Sequence, residues 1–235
     1  MSLTASSIVQ RATDIVQDKT SVRWPADEMV RWLNDAQREI ALIRPDAFST
    51  YASIALVAGS RQSLPVTAVK LIDITNNTGT GSNPTPTKNA IRQVPRRPLD
   101  EQLPGWHGLT GVTTILHYMY DPRDPRTFYV YPPAASTGAA VNAIYAVYPT
   151  DVAAPALGAD YTGVVGNINV PDIFANAVLD FILYKCYSKD SDYAGNAQRA
   201  LAHYTTFVNS MGAEARSTVM VGPGVSKPGE VAAGA

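Results

Sequence analysis

The hydrophobic period of this chain changes twice, and that double change restricts the available folds more than any other feature. Over residues 4–19, Ile8, Ala12, Ile15 and Val16 recur at helical spacing behind Thr4, a residue type that caps helix starts. Over residues 25–43, Met29, Val30, Trp32, Leu33, Ala36, Ile40 and Ile43 form the apolar side of a second helix. Pro25 suits its first turn, Asp27 and Glu28 favour its positive end, and Pro45 stops it. Between about 50 and 150 the pattern shortens. Tyr51–Val57, Val69–Ile74, Val112–Tyr118, Thr127–Tyr131 and Val141–Tyr148 are runs rich in β-branched and aromatic residues. Turn chemistry at Ala58-Gly59, Asn76-Asn77, the DPRDP stretch 121–125 and Pro132-Pro133 separates them. Helical spacing then returns over 171–188, and again after Ser191-Asp192 as far as Gly212 or Arg216.

These periods predict an α+β fold: terminal helix pairs forming one bundle, with an inserted antiparallel β-sandwich or barrel-like module. The expected division is a helical bundle from 1–49 and 170–216, a β module over 50–169 with projecting loops, and an extended tail over 217–235. The two projecting loops are Asn76–Asn89 and the segment 151–169. In the tail, glycines at 222, 224, 229 and 234 and prolines at 223 and 228 oppose a continuous helix. Val219, Met220, Val221 and Val225 give it a short apolar anchor. The expectation is a segment disordered in the free chain and extended against a partner.

Chemical signals are sparse. His107, His117 and His203 fall in a loop, a strand and a helix, without metal-ligand spacing. The single cysteine, Cys186, excludes an intrachain disulfide and reads as a packed core thiol. Thr78–Ser82 lacks the Lys-Ser/Thr ending of a phosphate loop. Asp121 and Asp124 read as turn residues balanced by Arg123 and Arg126. No catalytic residue, cofactor or metal site is expected. The net charge of -1 argues against a general nucleic-acid coat. One basic cluster does stand out: Lys88, Arg92, Arg96 and Arg97. It can meet phosphate, pair within the chain or meet a protein neighbour, and a protein neighbour is favoured over DNA. Trp106, after Pro104-Gly105, anchors its loop internally or touches a partner. No apolar run reaches the roughly 20 residues that cross a bilayer, and the first residues do not read as a secretory signal.

The segments WPADEMVRWLNDAQREIALIRPDA, IRQVPRRPLDEQLPGWH, HYMYDPRDPRTFYVYPP and VPDIFANAVLDFILYKCYSKDSDYAGNAQRALAHY resemble the tailed-bacteriophage head-to-tail adaptor, or connector, family. The resemblance covers about residues 4–215 and is most specific in the DPRDP–FYVYPP and YSKDSDYAGNA stretches. Asn89 and Pro95 depart from the family pattern, which often has a small residue and an acid there. The resemblance implies a non-enzymatic structural virion protein at the neck, assembled after synthesis in the host cytoplasm. It implies a homo-oligomeric ring of twelve copies beneath the portal protein, receiving tail or nozzle proteins. Genomic DNA would pass through its lumen without sequence-specific binding. The alternatives are a tail nozzle or baseplate component and, last, a carbohydrate-active enzyme.

Overall fold

The structure is a computed structural model that describes residues 3–78, 89–193 and 195–221, with the backbone alone over 213–221. The chain divides into two units, one holding residues up to 44 and from 149 onward, the other residues 45–148. It is a mixed α+β chain in which terminal helices flank a central multi-stranded region.

The helical unit contains α1 (Ala5–Val16), α2 (Ala26–Ile43), α4 (Ala175–Lys189) and α5 (Asn196–Val221). The Thr4 side chain accepts from the Ser7 N–H at the start of α1, a cap worth about 1 kcal/mol. Helix α1 ends at Gln17, which takes the left-handed conformation at φ 59°. The turn into α2 is held by one carboxylate: Asp18 accepts from the backbone N–H groups of Val22, Arg23 and Trp24. Helix α4 packs against α1, α2 and α5. Contact on so many sides explains why its apolar residues are not confined to one stripe; Val178, Leu179, Phe181, Ile182, Leu183 and Cys186 are all buried. Aromatic rungs join α4 to α5: Phe181 meets Phe207 at 5.2 Å, Tyr184 meets Tyr204 at 5.0 Å, and Tyr187 stacks on His203 at 5.7 Å between ring centres.

Helix α5 departs from expectation at both ends. It starts at Asn196, after Gly195 at φ 88°, and not behind Ser191-Asp192. It continues to Val221, five residues into the segment 217–235 read as extended. Gly212 does not end it, because an interior glycine costs only about 1 kcal/mol and good helix formers follow at Ala213, Glu214, Ala215 and Arg216. Pro223 is the first residue that cannot continue such a ladder. Residues 151–169 do not project either. Val152, Val164 and Ile168 are buried, and the segment lies against the N-terminal residues through Ala5 N–H to Gly166 O and Ile168 N–H to Leu3 O, both 3.0 Å.

The second unit holds β1 (Ser49–Ala55), β2 (Gly59–Ser63), β3 (Ala68–Asn77), β4 (Arg92–Gln93), a short helix α3 (Arg96–Gln102), β5 (His117–Tyr120), β6 (Thr127–Ala134) and β7 (Ala140–Val147). One sheet has the order β1-β7-β3 and the other β2-β6-β5-β4; every pairing is antiparallel except β4 with β5. Both sheets contribute to one hydrophobic cluster, with Ile54, Leu71, Ile74, Val141 and Ala143 from the first and Tyr118, Phe128 and Val130 from the second. Tyr118 also donates from its hydroxyl to Asp73 at 2.9 Å, linking the sheets, and burial pushes its phenol well above the ordinary range. Among the described residues neither sheet closes into a barrel, and β1, β3, β2 and β4 are their edge strands.

Three local expectations fail for identifiable reasons. Residues 112–116 are not a strand; only a single bridge from Val112 to Ala134 marks that stretch. Pro132-Pro133 lies inside β6, and the Tyr131–Pro132 peptide is cis. It fits there because β2 skips register between Gly59 and Arg61, opposite those residues, so no ladder N–H is required of them. Strands β2 and β4 and helix α3 are short and polar, below what periodicity resolves.

Candidate functional site

The basic cluster organises around α3. Pro95 precedes the helix and Pro98 lies in its first turn, where a missing N–H costs nothing. Arg96 Nε donates to Asp100 Oδ2 at 2.9 Å, and Arg97 Nε to Glu101 Oε1 at 2.7 Å. These are one-turn pairs on an exposed helix face. The Arg96 guanidinium also sits over the Tyr129 ring at 4.7 Å. Arg92 is exposed on β4. Lys88 lies outside the described residues.

Trp106 is placed differently from a surface anchor. It is fully buried, stacked on His107 at 3.8 Å and edge-on to Tyr129 and Tyr131. Its indole N–H donates to Asp100 Oδ1 at 2.8 Å. That bond, followed by the Arg96 charge, holds the Asp100 carboxyl below the usual carboxylate range. Trp106 therefore anchors its loop inside the unit and leaves no ring for a partner. His107 Nδ1 lies 2.7 Å from Ser60 Oγ, which ties the same loop to β2.

A groove of about 600 Å³ separates α3 from the β5–β6 turn, lined among others by Arg96, Arg97, Tyr120, Asp121, Arg123 and Tyr129. On the turn side Arg123 meets Asp121 through both its backbone N–H and its guanidinium, at 2.8 to 3.2 Å. Those hydrogen bonds pull the Asp121 carboxyl down to about 2. The arginines of this groove each face a carboxylate of their own chain, so its walls carry no surplus of positive charge to collect phosphate.

The remaining sequence candidates are the apolar anchor residues. Val219, Met220 and Val221 form the last turn of α5 as helical backbone. Val225 lies outside the described residues. Cys186 is buried, and burial pushes its thiol up to about 12, as befits an inert core group. Among the described residues, no group of three or more His, Cys, Asp or Glu is placed to hold a metal ion, and no helix is long and apolar enough to cross a membrane.

Three buried amides do structural work that the sequence does not announce. Asn34 donates to Val152 O and accepts from Val152 N, both at 2.9 Å. Gln62 does the same with Val57 at 2.8 Å in each direction. Asn77 likewise pairs with both backbone groups of Ile115, each at 2.8 Å. Each side chain replaces one rung of a ladder for a segment without regular structure.

The chain thus consists of a helical unit built from its terminal segments and a two-sheet unit inserted between them in sequence, with a charge-balanced groove on the second. A family model described as SU10 adaptor protein matches residues 3–227, and the chain belongs to that family. It is a non-catalytic structural head-to-tail adaptor of tailed phages. No individual curated protein matches it.

Proposed function

We propose that the chain forms a closed homomeric ring of twelve copies at the phage neck, between the portal protein and the tail, and continues the DNA channel. The observation that carries this reading is the family match over residues 3–227, nearly the whole chain. The two sheets around one core are best understood as a sandwich-like module inserted into a single helical bundle. The pairing of Arg96 and Arg97 within α3 supports a lumen or flank that lets DNA pass without gripping it. The groove between α3 and the β5–β6 turn, with Arg92 nearby in sequence, is assigned to a protein neighbour. The segment beyond Val221 is assigned to the portal.

Symmetry analysis of the neck in micrographs of intact particles tests this. A twelve-fold ring of this chain directly below the portal is expected. A six-fold ring, a single copy, or a position at the distal tail would overturn it.

A further inference from the structure

The three arginines that line the groove between α3 and the β5–β6 turn are held differently. Arg123 commits both Nε and Nη2 to Asp121, side-on. Arg97 pairs through Nε with Glu101, but its side chain is 88% exposed and that pair stands in solvent. Arg96 is built into the unit. Its Nε donates to Asp100 Oδ2 at 2.9 Å, and its guanidinium carbon lies over the Tyr129 ring at 4.7 Å. Asp100 in turn is fixed from the other side, because the indole N–H of buried Trp106 holds Oδ1 at 2.8 Å. Trp106 therefore orients Asp100, and Asp100 and Tyr129 together orient Arg96.

This arrangement uses the Nε edge of Arg96 and leaves its far end open. Among the described residues, Arg96 Nη1 and Nη2 bond no protein group. Two parallel N–H donors in one plane match the two oxygens of a carboxylate, and a fork already held in place loses little freedom on binding. Beside the fork, Tyr120, Tyr129, Pro95 and Pro122 give the groove apolar surface. Its volume of about 600 Å³ has room for a short run of peptide.

The wall charges select among anions. Asp121 and Asp124 line the same groove. A nucleic-acid backbone would carry a row of phosphates past them, and a phosphate monoester would bring nearly two charges to walls that are already balanced. A side-chain carboxylate brings a single charge and delivers it at the fork.

We propose that Arg96 reads a carboxylate, and that the groove takes an acidic peptide segment of a neighbouring protein in the assembled particle. The Asp or Glu side chain of that segment sits on the Nη1–Nη2 end of Arg96, and its apolar atoms lie against Tyr120 and Tyr129. Asp100 and Trp106 are positioning residues. The inference rests on the protein-neighbour reading of this groove given above.

The test uses the full chain in solution. The probe is a capped Gly-Pro-Glu-Pro-Gly peptide, compared with its Gln analogue and with inorganic phosphate, and read by NMR at the Arg96 Nε–H and the Tyr129 ring. Saturable shifts are expected with the Glu peptide at millimolar concentration, and binding of the Gln peptide should be about tenfold weaker. Arg96→Lys keeps the charge but not the fork and should abolish the preference for Glu. Asp100→Asn should reduce that preference, and Arg97→Ala should leave it unchanged. Equal binding of the two peptides, no saturable shift from either, a preference that survives R96K, or phosphate competing at equal concentration would overturn the proposal. A density map of the assembled neck should show an Asp or Glu of a neighbouring protein on Arg96. A groove left empty there removes the protein neighbour even where the peptide binds. A neighbour seated without a carboxylate on Arg96, or DNA in its place, removes the carboxylate reading while the adaptor ring stands.

Discussion

Asn77 is 2% exposed and supplies both a donor and an acceptor to Ile115, 38 residues away in sequence. Replacing it with alanine orphans a buried N–H and a buried C=O together. Asn77→Ala should therefore cost about 2–4 kcal/mol in urea unfolding, well above a surface change. Asp121 gives a prediction with a sign. Its folded value of about 2 lies below the ordinary one, because Arg123 bonds the charged form. The favourable contribution is thus complete above the ordinary carboxylate range and is lost as pH falls through about 2. Carboxyl titration by NMR should find Asp121 near that value and Arg123→Ala should return it toward the normal range. At this scale the sequence was readable only where a residue's role was local. The turn role of Asp121 and the core role of Cys186 follow from neighbours and spacing. The amide rungs do not, because the partner of Asn34 lies 118 residues away. For Trp106 the sequence left internal anchoring and partner contact both open, and only the arrival of Tyr129 and Tyr131 from β6 decides for the interior.

Elements were legible in proportion to their length. Helices α1 and α2 have bounds close to those expected because their apolar stripes extend over several turns. The long strands β1, β3, β6 and β7 were also found. Their polar neighbours β2 and β4 were not, because they are defined by a partner strand and not by a pattern of their own. Gly111 shows how tightly the irregular stretch before β5 is fitted. A Cβ there would come within 2.6 Å of Ala134 O and 2.9 Å of Ala135 Cα, both backbone atoms that cannot swing aside. Gly111→Ala should destabilise the protein by about 1–3 kcal/mol, measured by chemical denaturation. Gly105→Ala, with open space at the same atom, should have little effect.

For the whole molecule, the order of helices, strands and helices was written in the double change of period, and the family in a few specific stretches. The course of 151–169 was not, because it is held by scattered backbone bonds to the N-terminal residues. The end of α5 was not, because Ser217–Val221 carry no amphipathic period of their own to mark them as helix. Since α5 runs to Val221, a truncation that tests portal attachment should start at residue 222. Removing 222–235 should leave the unfolding midpoint unchanged and reduce retention on portal-bearing heads, measured by pull-down; full retention would count against a portal contact there.

The unguarded β1 edge has a consequence before any particle exists. Seven residues of uncharged strand in unbroken register present an edge that other strands can join, so freshly made chains carry a sticky flank. Solubility of the free chain should then depend on dose: clear at low expression, and forming sheet-rich aggregates as the intracellular amount outruns the available necks. Tyr51→Lys, which gives β1 the charge its sister edges already have, should raise the concentration at which turbidity begins.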